Sequence, residues 1–383
     1  MIICEEDKCC ACGLCVEICP ENAIQLKLNE SGFYYPIIDE VRCIECGQCK
    51  LSCLQNLADT TNSILKTYVG YSTDNDLLRK STSGGIIGEL YQKILERRGY
   101  IAGVKWDNAK SCSFVLTNQK EEMMGFHGSK YIGAKLKKIY NKVQEKLDLD
   151  YPVMFVGTPC QCEALKKYLG KNHEKLLLVD FICHGVSSNL LLEKYIDFLE
   201  KGGDKVNQYI MRSKEKGYSA KVSKISYQNK EALIESFYES TFGYPFAANL
   251  SVREGCLQCR YASINRISDI TVADWMVDLS EEEQENGVSL IVVNTDKGIN
   301  IIRRLCEENR VVLRDISLEK VIQYSYRLSH KSEIPKYREE YLSELKKDNN
   351  IEKLTKRYIK RNNRTVIRVY RKLRHLVKNR GLY

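Results

Sequence analysis

Ten of the seventeen cysteines lie in residues 1–57, and eight of those ten fall into two copies of one spacing. Cys9, Cys12, Cys15 and Cys19 read C-x2-C-x2-C-x3-C, followed by Pro20, and Cys43, Cys46, Cys49 and Cys53 repeat the spacing without the proline. A cubane iron–sulfur cluster needs four thiolates that converge from different directions. Two-residue gaps let one tight loop supply three, and the fourth comes from elsewhere. The bland alternative is zinc, but structural zinc sites usually pair C-x2-C units across a longer loop. The doubled spacing therefore predicts two [4Fe–4S] clusters and a module that moves single electrons without choosing a substrate. Cys4 and Cys10 fall outside the pattern and are expected to be packing residues.

Four further cysteines stand where ligands bind. Cys160 follows the apolar run VMFVG in GTPCQ, and Cys183 follows LLLVDFI in CHG. Both fall at the carboxyl ends of expected parallel strands, the edge at which open α/β sheets hold ligands. Cys256 and Cys259 form C-x2-C in REGCLQCRYA. Four cysteines from three loops could complete one more [4Fe–4S] or a zinc site. The alternative is two buried turn residues and a local accident. Cys112, Cys162 and Cys306 are expected to pack.

The elements that must position these residues follow from pattern. Residues 58–67, ADTTNSILKT, read as a polar linker. From Tyr68 strands and helices alternate, with YVGY and YIAGV as short strands. Leu136, Ile139, Tyr140, Val143 and Leu147 have helical spacing and predict an amphipathic helix over 134–148. PVMFVGTPCQCEALKKYLG reads as strand, turn and helix, and the pattern recurs in LLLVDFICHGVSSNLLLEKYIDFLE. Strand, turn and helix in succession indicate a parallel α/β sheet. ISDITVADW and VSLIVVN add strands, 298–309 a helix, and beyond about Val312 the chain turns polar and helical in texture. The expected fold is an α+β ferredoxin-like two-cluster module fused to an α/β domain with a mixed, largely parallel sheet, followed by a helical basic C-terminal tail.

Two resemblances sharpen this. CCACGLCVEICP and CIECGQCKLSC resemble the bacterial two-cluster ferredoxin family. That resemblance implies crossed ligation, in which Cys9, Cys12, Cys15 and Cys53 hold one cluster and Cys43, Cys46, Cys49 and Cys19 the other. The region from about Tyr68 to Tyr341 resembles the beta-subunit family of coenzyme F420-reducing hydrogenase and formate dehydrogenase. It does so through STSGG at 81–85, GSKYIG at 128–133, GTPCQ at 157–161, DFICHGV at 180–186 and GCLQCRYASINRISDITVADW at 255–275. The resemblance implies FAD beside a [4Fe–4S] cluster, and a third cluster on Cys160, Cys183, Cys256 and Cys259. Most members carry Gly-Asp before the tryptophan; this chain has Ala273-Asp274-Trp275, which puts the local backbone in question. Fold and cofactors transfer better than substrate does, since relatives act on sulfite, chlorophyll derivatives and in glutamate synthesis.

A flavin site has its own physical basis. Ser81, Thr82, Ser83, Gly84 and Gly85 make a small-residue loop ahead of an apolar helix. Such a loop lets backbone N–H groups approach a pyrophosphate at a helix N-terminus, although a Ser/Thr/Gly turn is more often a helix cap. Lys130 could neutralise a phosphate or lie in solvent. Gly157, Thr158 and Gln161 fall at the strand edge, where the two side chains could bond the isoalloxazine ring. His184 could be a proton donor, a hydrogen-bond partner or a satisfied turn residue, and the expectation carried forward is the catalytic role.

Charge is unevenly spread. From Lys353 to Arg380 there are twelve Lys or Arg and no Asp or Glu, so a net charge of +9 leaves the rest of the chain at about −3. Residues 364–380, RTVIRVYRKLRHLVKNR, place Val366, Val369, Tyr370, Leu373, Leu376 and Val377 on one helical stripe. That suits an anionic membrane surface or an acidic partner, or a basic helix with one face packed on the body. No nucleic-acid reader accompanies it, so nucleic acid is not an expected partner. No apolar run approaches the roughly 18 residues of a spanning helix, and MIICEEDKCC lacks the pattern of a signal peptide. The expected location is the cytosol, with the tail able to hold the protein at a membrane periphery. In a reducing compartment, clustered cysteines more often bind metal than form disulfides.

The expected domains are 1–57 (two-cluster ferredoxin), 58–67 (linker), 68–150 and 151–341 (the N- and C-terminal types of the beta-subunit family), and 342–383 (basic tail). The expected function is that of an iron–sulfur flavoprotein oxidoreductase, with two electrons arriving together at a flavin and leaving singly to the clusters, or the reverse. Its partner would be a redox protein, a reduced deazaflavin or another small donor or acceptor, including a substrate of surface-polysaccharide synthesis. Two rivals are an electron-transfer subunit with no substrate site and a non-redox scaffold that has lost flavin. No Ser/His/Asp or paired-carboxylate constellation stands out, which disfavours hydrolysis.

Overall fold

The computed structural model describes residues 2–56 and 62–362. The basic stripe at 364–380 lies outside the described residues. Near the N-terminus, β1 (Ile24–Leu28) and β2 (Tyr34–Ile38) form an antiparallel hairpin. One cysteine motif stands on each side of it, and each runs into a single helical turn, Leu14–Glu17 or Gln48–Leu51. Both turns begin from a glycine in the left-handed region, Gly13 (φ 79) and Gly47 (φ 73). Two residues earlier, Ala11 (φ 52) and Glu45 (φ 54) share that region at matching positions of the two motifs. A side chain there is strained by about 1–3 kcal/mol. The repeat in sequence is thus a repeat in backbone, wound tightly around each motif.

The body is built on eight strands. They are β3 (Lys66–Ser72), β4 (Tyr100–Asn108), β5 (Ser111–Thr117), β6 (Val153–Gly157), β7 (Leu176–Phe181), β11 (Ile270–Trp275), β12 (Val288–Val293) and β13 (Val311–Asp315). Their order across the sheet is β13-β3-β12-β11-β7-β6-β4-β5. Only β11, β7, β6 and β4 run parallel, and the remaining neighbours pair antiparallel. The sheet is therefore mixed rather than largely parallel. Local strand–turn–helix units dictate the parallel centre. The flanks come from a hairpin (β4–β5), from the return of β12 beside β11, and from β3, which pairs with strands more than two hundred residues away in sequence. A second, three-stranded antiparallel sheet, β10-β9-β8, uses β8 (Val206–Ser213), β9 (Val222–Tyr227) and β10 (Leu233–Ser236).

Strands covered on both faces read as continuous apolar runs, and every residue of β6 and β12 is buried. One face packs on the helix Ile86–Glu96 and its neighbours. The other packs on the helices Ile139–Asp148 and Pro159–Leu169, and Leu14 and Leu54 of the N-terminal module join that same core. Phe33 and Tyr35 join a further core with β8, β9 and the C-terminal helices Arg338–Lys347 and Ile351–Asn362. Phe155 of β6 is fully buried and stacks on Phe114 at 5.4 Å between ring centres. Phe155→Ala is expected to lower unfolding free energy by about 3–5 kcal/mol, read from the shift of a denaturant midpoint. Among the described residues no helix is long and apolar enough to cross a membrane.

Candidate functional site

The eight motif cysteines line two cavities. One is bounded by Cys19, Cys43, Cys46 and Cys49. The other is bounded by Cys9, Cys12, Cys15 and Cys53, with Cys4 and Cys10 also in its wall. Each cavity takes three cysteines from one motif and the fourth from the other. Among the described residues no three His, Cys, Asp or Glu side chains meet as a single metal ion requires. Four sulfurs ringing a void are the donor set of a cubane cluster. The first cavity faces outward, with Cys46 exposed and Val41, Ile44 and Leu51 exposed beside it. The second faces the body.

That inner face is where the module docks. The Tyr140 hydroxyl donates to the Cys12 carbonyl at 2.5 Å, and Arg260 donates to the Leu54 carbonyl. Gly255 lies so close that an added Cβ would stand 2.8 Å from the Cys9 carbonyl oxygen. Gly255→Val is expected to part the two surfaces at an overpacking cost of about 1–3 kcal/mol. The measurement is faster proteolytic release of the N-terminal module with its iron still bound.

Behind this contact the structure brings together Cys160, Cys183, Cys256 and Cys259. Cys160 lies in the first turn of the helix Pro159–Leu169, fixed by a capping box between Thr158 and Gln161. Cys183 follows β7, Cys256 lies in the turn Glu254–Leu257, and Cys259 follows it. Cys160, Cys183 and Cys256 each feel the Cys259 thiol, and Cys256 also feels Cys183. Burial pushes the Cys183 thiol up to about 11 and raises Cys256 and Cys259. A hydrogen bond with Cys10, then burial, raises Cys160. Such thiols lose their protons when a metal takes their place. Cys10 interacts with both Cys12 and Cys160, and so stands between the inner cavity and the body cysteines.

The small-residue loop lies farther along the sheet edge. Gly85 (φ 79) opens the helix Ile86–Glu96. The Ser83 hydroxyl meets that of Ser289 at 2.8 Å, and the Gly84 N–H donates to the same oxygen at 2.9 Å. Ser81 contacts His127 Nδ1 at 3.3 Å, and Thr82 contacts Ser129 at 3.4 Å, which joins the loop to the segment bearing Lys130. His127 Nε2 is buried without a hydrogen-bond partner. Burial, then the Lys130 charge, brings His127 down to about 4. Lys130 Nζ donates to the carbonyls of Phe126, His127 and Gly128 at 3.3, 3.0 and 3.1 Å, and burial lowers it to about 8. Gly157, Thr158 and Gln161 lie instead with the cysteines. The Thr158 hydroxyl is 3.1 Å from Cys160 Sγ, and Gln161 Oε1 accepts from the Thr158 N–H at 2.9 Å. His184 Nε2 is 3.2 Å from the Phe246 carbonyl, and burial, then Arg327, brings the ring down to about 4. Its neighbour Phe246 stacks on Tyr131 at 4.7 Å. His184 thus lies between the cysteines and the Lys130 segment.

Residues 151–319 match the model of the C terminus of the coenzyme F420 hydrogenase/dehydrogenase beta subunit, and residues 8–57 match that of a 4Fe-4S dicluster domain. Residues 151–319 therefore carry the C-terminal domain of that beta-subunit family, and residues 8–57 a 4Fe-4S dicluster domain. It is 25% identical over 217 residues to a subunit of the F(420)H(2) dehydrogenase of Methanosarcina mazei, a match that covers 51% of this chain and 59% of that protein. A chain of the xenon-derivatised F420-reducing [NiFe] hydrogenase complex from Methanosarcina barkeri superposes with a TM-score of 0.49 at 16% identity, over 71% of this chain and 91% of that one.

Several residues of the sheet edge make contacts that the sequence reading did not anticipate. Asp274, at the end of β11, meets Arg212 at 2.9 Å and Lys221 at 3.4 Å, and their charges outweigh burial to hold its carboxyl low. Lys214 donates to the carbonyls of Leu78 and Ser83 at 2.7 and 2.6 Å, pinning the small-residue loop. All three cations come from β8 and its connection to β9, a stretch that reads as ordinary polar sequence. Ala273, where most members have glycine, continues β11 in register opposite Leu290. Cys112 and Cys162 are buried, but Cys306 is exposed on the helix Asp296–Glu307 and packs nothing. Its position on the polar side of that helix decides this, since the apolar side carries Ile301, Ile302 and Leu305.

Proposed function

We propose that this chain is an iron–sulfur flavoprotein subunit of the oxidoreductase type. Cys9, Cys12, Cys15 and Cys53 hold one [4Fe–4S] cluster, Cys43, Cys46, Cys49 and Cys19 a second, and Cys160, Cys183, Cys256 and Cys259 a third. Ser81, Ser83, Gly84, Gly85 and Lys130 hold FAD. When bound, the clusters carry single electrons and the flavin interconverts these with a hydride pair. The chain's own residues fix the order of the centres. The observation that carries the reading is the contact between the inner four-cysteine cavity and the buried body cysteines, made through Cys10 and Gly255. The buried, unpartnered His127 Nε2 and the loop hydroxyls supply the polar groups that a flavin's phosphates need. His184, neutral at pH 7, accepts or donates a proton between the two sites. The exposed face around Cys46, Val41 and Ile44 takes a redox partner. The name of the Methanosarcina mazei relative is the support for a deazaflavin as the small-molecule partner.

A relay without its own flavin is the second reading. It is favoured by Lys130, whose three donors all go to backbone carbonyls. Anaerobic purification with iron, sulfide and flavin quantification separates the two. About twelve iron atoms and one flavin per chain are expected. About twelve with no flavin favours the relay, and about eight removes the body cysteines from the ligand set.

A further inference from the structure

Arg253 is 1% exposed, and its Nε and Nη1 have no hydrogen-bond partner. Its backbone N–H is fixed on the Val186 carbonyl at 2.9 Å, two residues from His184, and it opens the turn that carries Cys256. The guanidinium lies over the rings of Tyr35 at 4.7 Å and Phe33 at 5.4 Å. The carboxylate next to it in sequence, Glu254, pairs instead with Arg338 at 3.4 Å. The groups that feel the Arg253 charge include the thiols of Cys9, Cys10 and Cys256, besides the Tyr35 hydroxyl. One of these lies in each of the two facing cysteine sets, with Cys10 between them.

A guanidinium carries a fixed positive charge. Buried without an anion it is costly, and the aromatic faces of Tyr35 and Phe33 compensate only part of that cost. The same pattern recurs on the far side of the body cysteines. There Arg266, 2% exposed with Nε unpartnered, faces Cys183 and Cys259, but unlike Arg253 it also has a buried carboxylate, Asp180, within reach of its charge. With neutral thiols the Arg253 side of this region holds a buried positive charge without a paired anion. With a cubane cluster on each cysteine set it does not, because a cluster bearing four thiolates is anionic in both redox states. Among the described residues no Lys or Arg lines the outer cavity, and Arg42 near it is exposed and paired with Asp39 at 3.5 Å.

Resting on the three-cluster reading, we infer that Arg253 is the shared counter-charge of the inner N-terminal cluster and the body cluster, and that it raises the reduction potential of both. Reduction adds one electron, and so one negative charge, to a cluster. A fixed cation at this position stabilises the reduced form without a proton, and net charge is one of the levers that set cluster potentials. The outer cluster, farther off and at the solvent surface, is screened from it. Arg253 is a positioning residue for charge; it ligates no iron.

The test is EPR-monitored potentiometric titration of the full chain, purified anaerobically and reduced with dithionite through mediators. Arg253→Gln, with iron content unchanged, is expected to move two of three midpoints negative. Each should shift by at least tenfold in the redox equilibrium, about 59 mV for one electron, while the outer cluster holds still. Arg253→Lys is expected to restore both. Full iron with all midpoints unmoved, or all three moved alike, overturns the inference. If Arg253→Gln loses iron, Arg253→Lys decides: iron retained supports the charge, and iron lost assigns Arg253 to packing on Tyr35 and Phe33. A wild-type chain with no iron at all would sink the cluster reading itself, which is a different failure.

Discussion

Serine in place of Cys53 is expected to empty the cavity of Cys9, Cys12 and Cys15 and to spare the one nearest to it in sequence. Cys53 belongs by spacing to the motif of Cys43, Cys46 and Cys49, yet it lines the opposite cavity. Cys19 makes the reciprocal exchange. Paired substitutions turn this into a clear count. If ligation is crossed, Cys9→Ser with Cys53→Ser breaks one cluster, and about four iron atoms leave the chain. Cys9→Ser with Cys19→Ser breaks both, and about eight leave. Purely local ligation gives the reverse. The losses should also differ in stability. A segment near 50 residues long is marginal on its own, so metal binding contributes folding free energy. The cavity containing Cys53 lies against the body, where Leu14 and Leu54 enter the body's core. Its loss should therefore loosen the docking surface, whereas loss of the outer cluster should leave docking intact. Iron analysis with thermal melts of the Cys9, Cys19 and Cys53 single variants and the two pairs reads both effects.

The parts of this protein that were legible in the sequence are those whose logic is local. Cysteine spacing reports how a tight loop wraps, and both motifs do share one backbone, down to the left-handed Ala11 and Glu45. The runs VMFVG and LLLVDFI are buried on both faces and became β6 and β7, with Cys160 and Cys183 at their carboxyl ends. What stayed hidden depends on partners distant in sequence. No pattern in Lys66–Ser72 says that it pairs with both β12 and β13. Spacing marks Cys9 as a ligand but is silent on Cys10, although a cysteine doublet must send its second side chain elsewhere, here toward Cys160. Lys130 stands in a family motif as though aimed at a phosphate, but its donors close on three carbonyls of its own loop. Arg253 reads as one more basic residue. Only the packing of Phe33 and Tyr35 from the N-terminal hairpin makes it a buried charge.

The body cysteines carry the second large effect. Cys259→Ser is expected to remove about four iron atoms and leave the N-terminal eight in place. The outer and inner clusters should then still reduce, while passage of electrons from them into the body should fall by more than about 100-fold. Loss of a partner that merely orients a ligand already costs about 10–100-fold, and here the ligand itself is removed. Cys162→Ala is the matched control. Its sulfur is also buried, two residues from Cys160, but it donates weakly to the carbonyls of Gly157 and Val179 at 3.9 and 3.6 Å. Removing it should cost stability by about 1 kcal/mol and change neither iron content nor electron transfer. Rapid-mixing reduction, followed at the cluster and flavin absorbance bands, distinguishes these outcomes. Full iron and unchanged transfer in Cys259→Ser would leave the clusters confined to the first 57 residues. The buried thiols raised by desolvation at Cys183, Cys256 and Cys259 would then be core groups, and the buried Arg253, whose Nε and Nη1 have no partner, would need another anion.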